Sequence, residues 1–104
     1  MGSTSIIINN VQNIIIELTV RNHPGVMSHI TGLFARRAFN LEGILCGKLG
    51  DGSHSRIYLL VKPDDRLEQI VKQLGKLHDV IEVSLRQDYD ITIFNRLRKL
   101  IYHI

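Results

Sequence analysis

The sequence predicts one α+β domain with the element order βαββαβ: a four-stranded antiparallel sheet with two helices on one face, followed by a short C-terminal helix. Two kinds of observation lead there. Apolar residues alternate with period two in some segments and recur at helical spacing in others, and turn chemistry marks the junctions between them. A length of 104 residues suits one domain rather than two. Residues 1–12 read as a flexible N-terminal segment, 13–87 as the domain and 88–104 as a tail helix.

The first strand shows the alternation most clearly. Ile14, Ile16, Leu18 and Val20 take one side and Ile15, Glu17, Thr19 and Arg21 the other, with the β-branched residues that suit a pleated surface. Asn22-His23-Pro24-Gly25 ends it, and a proline there suits a helix start. Val26, Ile30, Leu33 and Phe34 then lie on one stripe of a helix ending near Arg37.

A second strand is expected over about 40–48, with Leu41, Ile44, Leu45 and Cys46. Gly43 and Gly47 leave bare backbone there for another chain to approach. Gly50-Asp51-Gly52-Ser53 reads as a hairpin turn. The third strand, about 54–62, sets Ile57, Leu59 and Val61 against Arg56, Tyr58 and Leu60. Pro63-Asp64-Asp65 marks the second helix start, with acids placed to complement the helix dipole. Leu67, Ile70, Val71 and Leu74 form its buried stripe and Gly75 sits near its end. The fourth strand, about 80–86, carries Ile81, Val83 and Leu85 on one side. In the tail, Phe94, Leu97 and Ile101 repeat at helical spacing. Right-handed crossovers fold this order into a ferredoxin-like sheet. Its second face mixes Glu17, Arg21, Arg56, Glu82 and Arg86 with Ile15, Tyr58 and Leu60, a composition suited to partial cover by a partner.

Composition narrows the function. Apolar residues are 44% and charged residues 22%, a globular balance that excludes disorder. The net charge of +3 comes from scattered cations, apart from Arg36-Arg37 and Arg96, Arg98 and Lys99, so it makes no nucleic-acid footprint. An RNA-binding version of this fold needs stacking aromatics on its central strands, and only Tyr58 is available there. One cysteine, Cys46, permits no intrachain disulfide and suits a reducing cytoplasm; between apolar neighbours it reads as a packed thiol. No apolar run reaches the roughly 18–20 residues of a membrane span, so no membrane partner is expected. The five histidines, read as solvated or capping residues, show no zinc spacing, and no phosphate-cradling glycine motif occurs.

One place remains for chemistry. At Asn22-His23-Pro24-Gly25-Val26-Met27 the first amides of a helix are free and partly positive. Pro24 offers no N–H, but Gly25 removes a side chain, so the amides of Gly25, Val26 and Met27 can meet a small carboxylate. The same residues also read as an ordinary helix start with Asn22 near the cap.

Three segments sharpen this reading: Glu17-Leu-Thr-Val-Arg-Asn-His-Pro-Gly-Val26, Gly32-Leu-Phe-Ala-Arg-Arg-Ala-Phe-Asn-Leu-Glu-Gly-Ile44 and Leu67-Glu-Gln-Ile-Val-Lys-Gln-Leu74. Together they resemble an ACT domain, specifically that of the small regulatory subunits of acetohydroxyacid synthase (acetolactate synthase), over about residues 14–86. The resemblance implies a non-catalytic chain with no cofactor of its own; thiamine diphosphate, magnesium and FAD belong to the large catalytic subunit. It implies a homodimer joined through the second, edge strands, with two sites for a branched-chain amino acid, usually valine, at the interface. It further implies that Asn22 and the amides of Gly25 and Val26 hold the ligand's polar groups while Asn40 reaches across from the other copy. A zwitterion fits that set: amides for its carboxylate, asparagine oxygens for its ammonium group. Ile44 is the apolar residue expected against the side chain. Many relatives carry a second domain, and this chain resembles the short form, so Arg36-Arg37 and the tail are candidate contacts for the catalytic subunit. Activation and feedback inhibition of that subunit are the implied role. The alternative is a stand-alone amino-acid sensor or adaptor for a different enzyme. A small phosphatase of the same topology would need an arginine-bearing loop after the first strand, which Asn-His-Pro-Gly does not supply.

Overall fold

A computed structural model describes residues 14–86; the expected N-terminal segment and the tail helix lie outside the described residues. The elements run β1 (Ile14–Arg21), α1 (Val26–Arg36), β2 (Gly43–Leu49), β3 (His54–Val61), α2 (Leu67–Gly75) and β4 (Val80–Arg86). The four strands form one sheet in the order β2-β3-β1-β4 with every pair antiparallel. This is the ferredoxin-like arrangement, and it leaves β2 and β4 as edges.

Register sorts the side chains onto two faces. Ile14, Ile16, Leu18 and Val20 of β1 pair with Val61, Leu59, Ile57 and Ser55 of β3. With Ile30, Leu33 and Phe34 of α1 and Leu67, Ile70 and Leu74 of α2, the apolar residues among them make the main core, and Ser55 is a buried polar residue beside it. Each fully buried aliphatic side chain contributes roughly 1.5–3 kcal/mol before chain entropy is counted. The opposite face carries a smaller cluster of Ile15 and Leu60, with Leu45 and Tyr58 packed beside it.

β4 departs from simple alternation. A register shift opposite Thr19 and Val20 sets Val80 against Val20, so Val80 enters the core while Ile81 stays 48% exposed. Val83 packs on the core and Leu85 is left exposed at the sheet edge.

Two boundaries and one side chain differ from expectation. β2 starts at Gly43, so Asn40 lies in the α1–β2 loop and not on the strand. α2 starts at Leu67 after Arg66, so Pro63, Asp64 and Asp65 stand before the helix, and Glu68 is the acid in its first turn. Cys46 is exposed rather than packed. It pairs with Ile57, but β2 is an edge strand, and Ile44 and Cys46 on this side of it are both exposed.

Candidate functional site

The turn between β1 and α1 is held from two directions. Asn22 donates its backbone N–H to the Ser53 carbonyl at 2.9 Å and its side-chain Nδ2 to the Gly52 carbonyl at 2.8 Å. Asn22 is therefore tied to the β2–β3 hairpin tip, and it does not cap α1 with its side chain. Because a carbonyl only accepts, the amide nitrogen must face Gly52, which leaves the Asn22 side-chain oxygen without a donor among the described residues. The tip is itself shaped by Asp51, whose Oδ1 accepts the Ser53 N–H at 2.9 Å. That bond holds the Asp51 carboxyl below the usual carboxylate range.

On the other side, His23 Nδ1 lies 3.4 Å from Asp79 Oδ2, and the Asp79 side chain is only 6% exposed. The Asp79 carbonyl accepts the Arg21 N–H at 2.8 Å, and Arg21 Nη1 donates to the His78 carbonyl at 3.0 Å. The α2–β4 turn thus braces the residues that precede the helix.

Gly25 is the N-cap of α1 with φ 88° and ψ −6°, in the left-handed region that favours glycine. Among the described residues, a Cβ built there meets nothing within 4 Å. The Val26 N–H donates to the His23 carbonyl at 3.2 Å, closing the turn, and the Gly25 carbonyl accepts the His29 N–H at 3.0 Å. Among the described residues, the amides of Gly25 and Met27 donate to no acceptor. Of the three amides expected to be free, Val26's is therefore already engaged, and Gly25 and Met27 supply the open donors beside Pro24.

Asn40 and Ile44 lie apart from this turn in sequence and element. Asn40 is exposed and follows Phe39, in the loop just past the end of α1. There Ala38 N–H donates to Ala35 O at 3.1 Å and Phe39 N–H to Phe34 O at 2.9 Å, the paired bonds of a Schellman helix end. Ala38 takes φ 52°, left-handed without being glycine. The matching apolar contact is Phe39 edge-on to Phe34, centroids 5.7 Å apart. Ile44, on edge strand β2, is 39% exposed on the same sheet side as Leu59.

Arg66 lies over this helix end. Its Nη1 donates to the Arg37 carbonyl at 2.5 Å, and its Cζ sits 5.3 Å from the Phe39 centroid. Asp64 accepts from its Nε at 3.1 Å. The pair shifts both groups: Arg66 holds the Asp64 carboxyl below its usual value, and Asp64 holds the guanidinium above its own. Neither Arg66 nor Asp79 stands out in the sequence, because the α1–β2 segment that Arg66 covers and the His23 that Asp79 faces lie far along the chain. The alternation that finds strands says nothing about such pairs.

The opposite sheet face holds a shallow groove of about 350 Å³ lined by residues 45–49 with Arg56 and Tyr58. None of the expected ligand residues lines it. Arg56 is fixed there: its Nη1 lies 2.5 Å from Glu17 Oε2 and its Nε donates to Thr19 Oγ1 at 3.1 Å. Its hydrogen bond with Tyr58 does most to raise its pKa; burial opposes this, and Glu17 adds to the rise. Arg86 takes the other Glu17 oxygen at 2.9 Å. Among the described residues no cluster of three His, Cys, Asp or Glu side chains is placed to hold a metal ion. No described helix is long and apolar enough to cross a membrane.

A ferredoxin-like sheet whose first strand delivers an Asn-His-Pro-Gly turn to the start of a helix defines an ACT domain. Comparison with known proteins agrees: the family description "AHAS small subunit-like ACT domain" matches residues 16–82, and the chain belongs to that family. The chain is 59% identical over 85 residues to the acetolactate synthase isozyme 1 small subunit of Escherichia coli strain K12, spanning 82% of this chain and 88% of that one. It is 47% identical over 70 residues to a probable acetolactate synthase small subunit of Methanothermobacter thermautotrophicus, spanning 66% of this chain and 42% of the other. The crystal structure of the acetolactate synthase small subunit from Thermotoga maritima superposes with a TM-score of 0.63 at 40% identity, over 70% of this chain and 46% of that one. This chain therefore spans less than half of the two longer relatives.

Proposed function

We propose that this chain is a cytoplasmic, non-catalytic regulatory subunit of acetohydroxyacid synthase. In this reading it binds a branched-chain amino acid, valine first, between two copies of itself, activates the large catalytic subunit and confers feedback inhibition on it. Thiamine diphosphate, magnesium and FAD would all reside in that large subunit.

The observation that carries the reading is the Gly25 turn. Among the described residues, a left-handed glycine with no neighbour at its Cβ position, amides of Gly25 and Met27 that meet no acceptor, and an Asn22 oxygen that meets no donor together offer an anion site next to an acceptor. A free amino acid presents the complementary pair, a carboxylate and an ammonium group. One chain does not complete the enclosure, because Asn40 and Ile44 lie on the edge-strand side. Edge strand β2 keeps one row of backbone groups for a second copy, and pairing there is how Asn40 of the other copy would come to the turn. A ligand shared between chains changes how they sit together, and a coupling of about 1–3 kcal/mol is enough to alter a partner's activity severalfold or more.

The test is calorimetric titration of valine into the full chain, with Asn22→Ala and Asn40→Ala variants. Each substitution is expected to weaken binding by about 1–3 kcal/mol, the usual range for a buried polar partner left unmatched. Unchanged affinity in both variants refutes the site. Acetolactate formation by the rigorously purified chain alone overturns the regulatory role.

A further inference from the structure

We propose that Arg66 is a positioning residue of the amino-acid site, locked by Asp64 so that it fixes the Ala38–Phe39 segment and with it the direction of Asn40. The proposal rests on the reading of Asn40 as a ligand contact.

Three sets of contacts carry it. Asp64 grips Arg66 at three points: Oδ1 accepts the backbone N–H at 2.7 Å and Nε–H at 3.1 Å, and Oδ2 accepts from Nη2 at 3.1 Å. A guanidinium held this way on one flank presents its remaining donors in a fixed direction. Those donors meet the end of α1, with Nη1 at 2.5 Å from Arg37 O and Nη2 at 3.5 Å from Ala38 O. The last carbonyls of a helix carry partial negative charge and lack intrahelical partners, so a cation is the fitting cover. The flat of the same group lies over the Phe39 ring. One side chain thus touches each of the three residues that precede Asn40.

The segment needs such a hold. Ala38 sits at φ 52°, where a side chain is disfavoured, and strained residues persist only where their surroundings over-determine them. Without Arg66, Ala38 can relax toward negative φ. Asn40, two residues on, would then swing away from its bearing. Lysine offers a point charge without the planar fork, so it does not replace arginine here.

The experiment is a double-mutant cycle on the full chain, with valine as the probe and calorimetry as the readout. Arg66→Ala is expected to weaken valine binding by about tenfold, the loss typical of a charge-assisted hydrogen bond. Arg66→Lys should not restore it. In an Asn40→Ala background the same Arg66→Ala change should alter affinity by less than about twofold, because the residue it positions is gone. Asp64→Ala, which keeps the guanidinium but frees it, should follow the same pattern and serves if Arg66→Ala unfolds. Equal losses in both backgrounds, or no loss beside an intact Asn40, overturn the proposal while the ligand site stands. An Asn40→Ala variant that binds valine normally overturns the proposal together with the reading of Asn40 as a ligand contact.

Discussion

In the β1–α1 turn the left-handed residue is Gly25, at φ 88°; in the α1–β2 loop it is Ala38, at φ 52°. Each stands near an asparagine of the candidate site, yet the two turns are built differently. At Gly25 no described residue comes within 4 Å of a Cβ position, and Asn22 is anchored by its own hydrogen bonds to the hairpin tip. Around Ala38 the chain is stitched from beneath: Phe39 is buried on Phe34, and Arg66 covers the helix end. The difference teaches where glycine is needed. At Gly25 the left-handed φ itself favours glycine, with no packed neighbour among the described residues to hold a side chain in that conformation. A turn that only has to aim the next side chain tolerates a methyl group, provided the packing around it absorbs the strain.

The largest effect should come from removing the stitch. Phe39→Ala deletes a ring that is 6% exposed, packs on Phe34 and supports Arg66. Truncations of buried aromatic residues cost about 3–5 kcal/mol, and for a domain of this size that lowers the melting temperature by more than about 10 °C. Urea unfolding gives the number. A loss under about 1 kcal/mol would mean that the loop holds its shape without Phe39, which breaks the contrast between the two turns.

Gly25→Ala tests the other turn and should have a smaller effect on stability. Placing a side chain at this φ costs about 1–2 kcal/mol, with nothing nearby to clash. Valine affinity should fall by more than the stability change suggests, because the methyl group occupies the carboxylate's approach. A variant that is destabilised but binds valine as before would show that the space in front of Gly25 is not the ligand's.

How much of this was legible beforehand follows from the range of each interaction. β1, β3 and both helices were readable because their signals are local: alternation at Ile14–Val20 and Ile57–Val61, and helical spacing at Ile30–Phe34 and Leu67–Leu74. The Asn-His-Pro-Gly turn was legible as a candidate site for the same reason. The partners of its residues were not. Asn22 looked like a cap but reaches the hairpin tip thirty positions on. His23 read as a solvated or capping residue but faces Asp79. Asp64 and Asp65 looked like the first turn of α2, yet that helix starts at Leu67 and Asp64 serves Arg66 instead. The exposure of Cys46 and Ile44 depends on β2 being an edge, which is a property of strand order and not of any window of sequence.

Ala38→Gly is expected to have the smallest effect and to change its sign. Relief of the left-handed strain returns about 1–2 kcal/mol, against roughly 0.5–1 kcal/mol of added backbone entropy lost on folding. A net gain of about 0.5–1 kcal/mol should appear in urea unfolding. The same change loosens the backbone just before Asn40, so valine should bind less tightly even as the domain becomes more stable. Opposite movements of stability and affinity would identify the alanine as kept for aim and not for fold strength. If both rise together, Ala38 is only a tolerated residue, and the bearing of Asn40 is set by Phe39 and Arg66 alone.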